Sequence, residues 1–237
     1  MATISASGIG ELLTGGKTAD SYILRKAMEG NGIKEELDTW AMRHGTINQH
    51  EAYRLLLADK AKWHDIYTPI DERCGASADA IGDDMVWDVK CPYYIDTYLE
   101  QVQGLPKKYY SQVQMQMIAE KKDKGAILIY LTSSELDTYG NVIEYPYPLE
   151  HRHFIHEFKK DEEVQHNIMK AVDEYYPILV EWTQRLAEVK TMERDEFFYN
   201  QLEGIEKYRK LKTATSINSA MYKAVRIGNE FYYQIKQ

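Results

Sequence analysis

Residues 75–92, GASADAIGDDMVWDVKCP, carry the side chains best suited to chemistry. Asp79 follows a run of small residues, and Asp88 and Lys90 come after an acidic turn at Gly82. Side chains two residues apart on a strand share a face, so Asp88 and Lys90 should point the same way. If the flanking strands pair across the turn, Asp79 can lie beside Asp88, and two carboxylates suit Mg²⁺ or Mn²⁺. An ammonium on that face could help to deprotonate a water or offset phosphate charge, as phosphodiester hydrolysis requires.

The residues that follow make this interpretation more specific. A bare Asp-x-Lys triplet occurs by chance in many chains, and the alternative is a surface hairpin with solvated charges. Here Cys91-Pro92 follows the triplet, and a helix is then predicted over 105–122, with Gln112 and Gln114 on it. The wider pattern therefore favours a nuclease site.

This order of motifs resembles the lambda exonuclease and YqaJ-type viral recombinase family of the PD-(D/E)XK nuclease superfamily. The similar segments, which span roughly residues 4–135, are ISAS (4–7), the HG pair within 41–56, SADAI (77–81), WDVKCP (87–92), YYSQVQMQM (109–117) and GAILIYLTS (125–133). The resemblance implies an α/β fold of the restriction-endonuclease type, a central mixed sheet flanked by helices. It implies a nuclease core over 1–160 and a helical C-terminal region of the same domain over 161–237.

The resemblance also implies roles for individual residues. Asp79 and Asp88 would be metal ligands, and the backbone carbonyl of Val89 would complete the metal shell. Lys90 would be the catalytic lysine. Gln112 would support the site from the following helix. Asp88 stands where the family usually has Glu, which the superfamily tolerates.

One position on the preceding helix departs from the family pattern. Counting from Gly45 to Ala52 without a gap places Gln49 where the family usually has Glu. A Gln carbonyl can ligate a metal, but without charge. Glu51 lies about 200° further round a helix and could serve only after a register change. Gln49 is therefore assigned to the catalytic site, and Glu51 remains the alternative.

Candidate DNA contacts follow from the same comparison. Relatives hold the DNA terminus with basic residues upstream of the ITAS-type motif, and this chain has no counterpart to them. Arg25 and Lys26, with Lys17, are the candidates to replace them. Tyr109 and Gln114 on the predicted helix are further candidates, Tyr109 by stacking on a base.

The resemblance implies a Mg²⁺-dependent exonuclease of phage recombination type, with Mn²⁺ as a substitute. It would resect linear double-stranded DNA, 5′→3′, to give single strands for an annealing protein, and would form a toroidal homotrimer. Two alternatives stay open. One is another PD-(D/E)XK endonuclease or repair nuclease, and the other is an inert DNA- or partner-binding module, which Gln49 favours.

The composition excludes several other classes of protein. The 237 residues carry a net charge of −8 with a pI near 5.4, which argues against a protein that coats nucleic acid nonspecifically. Only two cysteines occur, which excludes a disulfide scaffold and a four-cysteine cluster. The expected setting is the cytoplasm, without a membrane span. His151, His153 and His156 could suggest zinc, but a solvated or interface strand is the better interpretation.

The periodicity predicts the elements that position these residues. Helices are expected over 19–30, over 35–63 with a break near Gly45, and from 161 to about 212 with a break at Pro177 or Thr191. NVIEYPYP and HRHFIHEF are predicted to be paired strands. A terminal β-hairpin is predicted around Gly228-Asn229.

Overall fold

The structure is a computed structural model, which describes residues 2–33, 39–136, 142–191, 209–210, 222–227 and 230–235. Its internal contacts divide the chain into two units, Met1–Gln184 and Arg185–Gln237. The first unit carries the whole segment predicted to do chemistry. It also includes residues beyond 160 that the sequence analysis placed in the C-terminal region.

The first unit is built on a mixed six-stranded sheet. The strands of the chain are β1 (Ile4–Ser5), β2 (Lys62–Pro69), β3 (Cys74–Ile81), β4 (Met85–Lys90), β5 (Lys124–Tyr130), β6 (Ser134–Leu136), β7 (Val142–Glu144), β8 (His153–Lys159), β9 (Arg209–Lys210), β10 (Tyr222–Ile227) and β11 (Glu230–Ile235). The strand order is β1-β3-β4-β5-β8, and β2 also pairs with β3. The β1–β3 and β4–β5 pairs are parallel, and the other pairs of this sheet are antiparallel.

Helices cover both faces of the sheet. They are α1 (Ala6–Thr14), α2 (Gly16–Gly30), α3 (Trp40–Leu56), α4 (Ile95–Gln103), α5 (Lys107–Glu120) and α6 (Glu162–Thr191), with a 3₁₀ turn at Leu149–His151. Trp87 and Val89 of β4 pack with Ala52 of α3 on one face. Val86 of β4 and Val113 of α5 pack on the other face. The central strand β4 is therefore buried on both sides, and its side chains alternate between two cores.

Helix α5 lies between the sheet and α1, and it is buried on several sides. Helix α1 can lie close to α5 and α2 because it has glycine at positions 10 and 8. A Cβ atom added at Gly10 would lie 2.6 Å from the Cβ atom of Lys108 on α5. A Cβ atom added at Gly8 would overlap the Tyr22 ring of α2, at 1.8 Å from its nearest atom. Glycines therefore let α1 pack closely against the α5 backbone at Lys108 and against the Tyr22 ring of α2.

The prediction of one long helix over 35–63 is wrong at its end. Helix α3 ends at Leu56, and strand β2 begins at Lys62. The predicted break at Gly45 does not occur, since α3 runs through that position. A glycine inside a helix costs only about 1 kcal/mol relative to alanine, which tertiary contacts can offset. The short helices α1 and α4 were not predicted.

The predicted pairing of the two strands after β5 is also wrong. Strand β7, within NVIEYPYP, pairs with β6. Strand β8, within HRHFIHEF, pairs along its length with β5, from Lys124↔Lys159 to Tyr130↔His153. The sequence predicts that β8 is a strand, but it does not predict its partner. The partner is β5 because β8 covers the edge of β5 that would otherwise be exposed.

Two further predictions concern the end of the chain. Helix α6 passes through Pro177 without a break, so the break predicted there does not occur, and the residues that follow Thr191 lie outside the described ranges. Pro177 is exposed, where the loss of one helical hydrogen bond can be met by water. The helical prediction up to about residue 212 is wrong at β9, which pairs with β11. The predicted terminal hairpin is confirmed, with β10 and β11 antiparallel and Ile227 opposite Glu230.

Candidate active site

The site lies where strands β3 and β4 separate. The Gly82 amide closes the turn between the two strands by donating to the Met85 carbonyl at 2.8 Å. Next to this turn the strands pair at only two positions, Ala80↔Trp87 and Ile81↔Val86. The next residues in this antiparallel register are Asp79 and Asp88. There the ladder ends, and the Val89 amide donates to the Asp79 carboxylate at 2.6 Å. Strand separation thus opens a gap with two carboxylates on its walls.

Asp88 is held by charge and by two amides. Its carboxylate forms an ion pair with Lys90, at 2.6 Å from the ammonium nitrogen, as expected for residues two apart on one strand face. Gln112 and Gln116 of α5 donate to its other oxygen at 2.7 and 3.0 Å. Because Asp88 is only 1% exposed, these three partners replace the water that a free carboxylate would bind.

Gln116 was not predicted, and Gln114 was given a role it does not have. The prediction that Gln114 contacts DNA is wrong, because this side chain is fully buried and donates to the Lys159 carbonyl at 2.9 Å. Gln116 reaches the site because it lies one helical turn after Gln112. That i, i+4 spacing was visible in the sequence and is the signal that could have identified it.

The structure places Gln49, and not Glu51, at the opening between the strands. The Gln49 amide donates to the Val89 carbonyl at 2.9 Å. Glu51 lies elsewhere on the helix and accepts a hydrogen bond from the Tyr130 hydroxyl at 2.7 Å. Counting from Gly45 to Ala52 without a gap therefore predicts correctly that Gln49, and not Glu51, faces the site. Both polar groups of the Val89 backbone are bonded to side chains, Asp79 at the amide and Gln49 at the carbonyl.

Burial and the charges of the two carboxylates shift the pKa values of Asp79 and Lys90. Burial, followed by the charge of Asp88, raises the pKa of Asp79 to about 7. Burial tends to lower the pKa of Lys90, but the charges of Asp88 and Asp79 outweigh it and hold that pKa above its ordinary value. Lys90 therefore remains an ammonium, and two carboxylates share one positive charge.

A bulge in the neighbouring strand faces Asp79. The β2–β3 register shifts between Trp63 and Ile66, and Asp65 adopts a positive φ of 41°. Such bulges redirect side chains at the edges of sites. The exposed Asp65 adds a further, weaker contribution that raises the pKa of Asp79. No sequence signal identifies this bulge.

A cleft of about 620 Å³ opens over Val89 and Lys90. Its walls include Ser7, Gln49, Lys108, Tyr109 and Gln112, and its remaining described lining residues are Ala41, Met42, Gly45, Thr46, Cys91, Pro92, Tyr93, Tyr94, Thr97 and Gln101. Among the lining residues that the structure describes, only two lysines are charged. The cleft therefore favours anions on a chain whose net charge is −8.

The other predicted DNA contacts occupy different surroundings. The Tyr109 ring lies in the cleft, with the Lys90 ammonium 5.1 Å from its centroid. Arg25 is paired with Glu11 at 2.7 Å, and Lys26 with Glu29 at 2.6 Å. Neither cation lines the cleft, and their roles remain predictions.

The donor atoms fit a hard divalent cation. The described residues contain no cluster of three His, Cys, Asp or Glu side chains able to hold a metal. The ligands available at the gap are the carboxylates of Asp79 and Asp88 with the neutral oxygens of Val89 and Gln49, which suits Mg²⁺ or Mn²⁺. Burial and the neighbouring charge of Asp88 raise the pKa of Asp79, and a bound cation would offset both effects by stabilising the ionised form.

His153, His156 and Cys91 make structural contacts. The ring nitrogens of His153 and His156 hydrogen-bond to the carbonyls of Leu149 and Gln101, each at 2.8 Å. Cys91 packs in the core beside the cleft, as predicted, and burial raises its pKa to about 12. It therefore remains a thiol at neutral pH and does not act as a nucleophile.

A mixed sheet flanked by helices, with an Asp and an Asp-x-Lys motif where two strands diverge, is a restriction-endonuclease-like α/β fold. The alkaline exonuclease LHK-Exo from Laribacter hongkongensis shares this fold, with a TM-score of 0.64 and 20% identity over 78% of this chain and 92% of that one. Its complex with dAMP gives a TM-score of 0.63. A phage-related exonuclease from Haemophilus somnus 129PT gives 0.64, with 16% identity over 78% and 96%.

These likenesses confirm the fold that the sequence resemblance implied. No family model and no curated protein matches the sequence. In the described part of the chain, no helix is both long and apolar enough to span a bilayer.

Proposed function

We propose that this protein is a metal-dependent deoxyribonuclease that degrades linear double-stranded DNA from its ends. One observation carries the proposal. Asp79, Asp88 and Lys90 come together where β3 and β4 separate, and Lys90 also lines a cleft whose described lining carries charge only on lysines. Carboxylates suit a cation and lysines suit phosphate, which is the pairing that phosphodiester hydrolysis needs. The fold shared with two exonucleases supports the same proposal.

Asp79 and Asp88 would hold the metal, with the Val89 carbonyl and the Gln49 side-chain oxygen as neutral ligands. A bound Mg²⁺ or Mn²⁺ supplies a nucleophilic water and offsets charge on the phosphate oxygens. Gln49 now donates its amide to Val89, so it would have to turn its oxygen toward the ion. Gln112 and Gln116 keep Asp88 in one orientation throughout.

Lys90 would act on the phosphate as a cation. Its ammonium is held by Asp88, and its raised pKa keeps it protonated at neutral pH. A protonated lysine can donate to a phosphate oxygen, where negative charge increases during the reaction. Its side chain is 20% exposed toward the cleft, so a substrate can reach it.

The proposal extends to the mode of action. The cleft volume suits one terminal nucleotide, in keeping with the dAMP complex of LHK-Exo. We propose resection in the 5′→3′ direction, which leaves a single strand for an annealing protein, and assembly as a ring-shaped homotrimer around the duplex. A ring retains DNA by topology, which is compatible with a net charge of −8. Light scattering at several concentrations tests the trimer.

A nuclease assay on linear and circular duplex, with Mg²⁺ and with EDTA, tests the activity. Degradation of the linear form alone, with loss in EDTA, is the expected result. Cutting of circles would instead identify an endonuclease. End labels on each strand report the polarity. Calcium should support binding with little cleavage, because its looser coordination positions water poorly.

An inert binding module is the second candidate, and Gln49 favours it. Where relatives of the resembled family have a Glu, this chain has an uncharged amide that is hydrogen-bonded to the Val89 carbonyl. The intact Asp79, Asp88 and Lys90 cluster opposes that reading. Metal-independent DNA binding with no cleavage would support the module.

A further inference from the structure

Lys108 is the second charged residue of the cleft, and it has no role in the site described above. Lys90 is committed to Asp88, whereas Lys108 forms no ion pair in the described part of the chain. Its ammonium lies 5.1 Å from the centroid of the Tyr109 ring, the same distance as that of Lys90. Two ammonium groups therefore lie at the Tyr109 ring: that of Lys90 is paired with Asp88, and that of Lys108 is exposed to solvent.

The position of Lys108 breaks a local rule. It lies in the first turn of α5, where the helix dipole disfavours positive charge, and that turn contains no acidic residue. Local rules are most often broken where function requires it. The base of the residue is also fixed, because Gly10 of α1 lets the two backbones approach at its Cα and Cβ atoms. The cation is therefore placed at the cleft rather than spread over a mobile surface.

The geometry points to Lys108 as a substrate-positioning residue that binds a backbone phosphate of the DNA strand beside the phosphate at Lys90. Two ammonium groups on one tyrosine ring can engage neighbouring phosphates of a single strand. A lysine acts there as a point charge without base specificity, which suits an enzyme that degrades any sequence. This inference rests on the proposed function, since it names a subsite of the same cleft.

Lys107 offers a matched control. It precedes Lys108 on the same helical turn, carries the same charge, is exposed, and does not line the cleft. Lys108→Gln and Lys107→Gln thus make equal changes in net charge at neighbouring positions. Binding of a short blunt duplex would be measured in Ca²⁺ across a range of salt concentrations.

The expected result is a fall in the salt dependence for Lys108→Gln alone. One phosphate contact contributes about 0.9 to the slope of log K against log salt concentration. Over a tenfold change in salt, from about 1 M to about 0.1 M, that one contact strengthens binding about eightfold. Lys107→Gln should change the slope much less, and Lys108→Arg should restore it. Equal slopes for the two Gln variants would overturn the inference. Absence of duplex binding by the unaltered protein would instead refute the proposed function.

A second measurement separates phosphate binding from a structural role. With an unchanged melting temperature, Lys108→Gln should raise KM severalfold and lower kcat less, because ground-state and transition-state phosphate are bound alike. The variant should also bind a 5′-phosphorylated dinucleotide, which has two phosphates, more weakly than the unaltered protein does. Its binding of dAMP, whose single phosphate would lie at Lys90, should change much less. Equal losses for the two ligands would show that Lys108 only shapes the cleft and would contradict the inference.

Discussion

Replacement of Asp79 by Asn should stabilise the metal-free protein at alkaline pH. Burial and the neighbouring Asp88 raise the pKa of Asp79 from 3.8 to about 7, so its ionised form is unfavourable in the fold. Between these two values the native state retains a proton that the unfolded chain has lost, and the free energy of unfolding falls as pH rises. Above about 7 both states are ionised, and the whole penalty is present. Asn has no charge, and its oxygen can still accept from the Val89 amide.

The size of the effect follows from the pKa change. One pKa unit corresponds to about 1.4 kcal/mol, so the rise from 3.8 to about 7 sets an upper limit of about 4 kcal/mol. Partial exposure of Asp79 and its coupling to Asp88 reduce this, and we expect a gain of about 2 kcal/mol. For a chain of this length that gain raises the melting temperature by about 4–8 °C.

Urea unfolding in EDTA measures this prediction at about pH 8.5 and at about pH 5. The gain should be smaller at the lower pH, and it should disappear only below about 3.8, where the unfolded carboxyl is protonated as well. Asp83→Asn is the control, because Asp83 is exposed in the nearby turn and the variant makes the same change in net charge. Added Mg²⁺ should stabilise the unaltered protein and leave Asp79→Asn unchanged, since only the former retains both carboxylates.

A variant no more stable than the unaltered protein at pH 8.5 would refute the assigned burial and coupling of Asp79. Equal gains in the two Asn variants would also refute it, since the effect would then come from net charge alone.

Three further predictions concern the residues around Asp88. Lys90→Ala should lower cleavage at least a thousandfold while circular dichroism still reports a folded chain, and retained activity would exclude Lys90 from the reaction. Gln116→Leu should reduce cleavage and Mn²⁺ affinity by about 10- to 100-fold, measured by calorimetry, because the Asp88 carboxylate loses a partner that orients it. Gln49→Ala should weaken Mn²⁺ binding more than Glu51→Gln does, and the reverse order would contradict the placement of Gln49 at Val89.

Local periodicity determined much of the site. The alternation of β4 was enough to predict that Asp88 and Lys90 share a face, and the 2.6 Å ion pair shows it. An acidic turn at Gly82 was enough to bring Asp79 beside Asp88. The ungapped count along α3 separated Gln49 from Glu51, because the angle between two residues of a helix is fixed by its geometry. These relations lie within one element or across one short turn.

The tertiary structure decided what depends on contacts between distant segments. Helix α5 is buried on several sides, so its apolar pattern does not define the face toward Asp88, and Gln116 was missed although Gln112 was assigned to the site. Strand β8 could be recognised from its residues, but its pairing with β5 depended on which edge remained to be covered. Placement of Lys108 at the cleft required α1 to approach α5 at Gly10. Such contacts are fixed by the packing of whole elements, which local spacing does not encode.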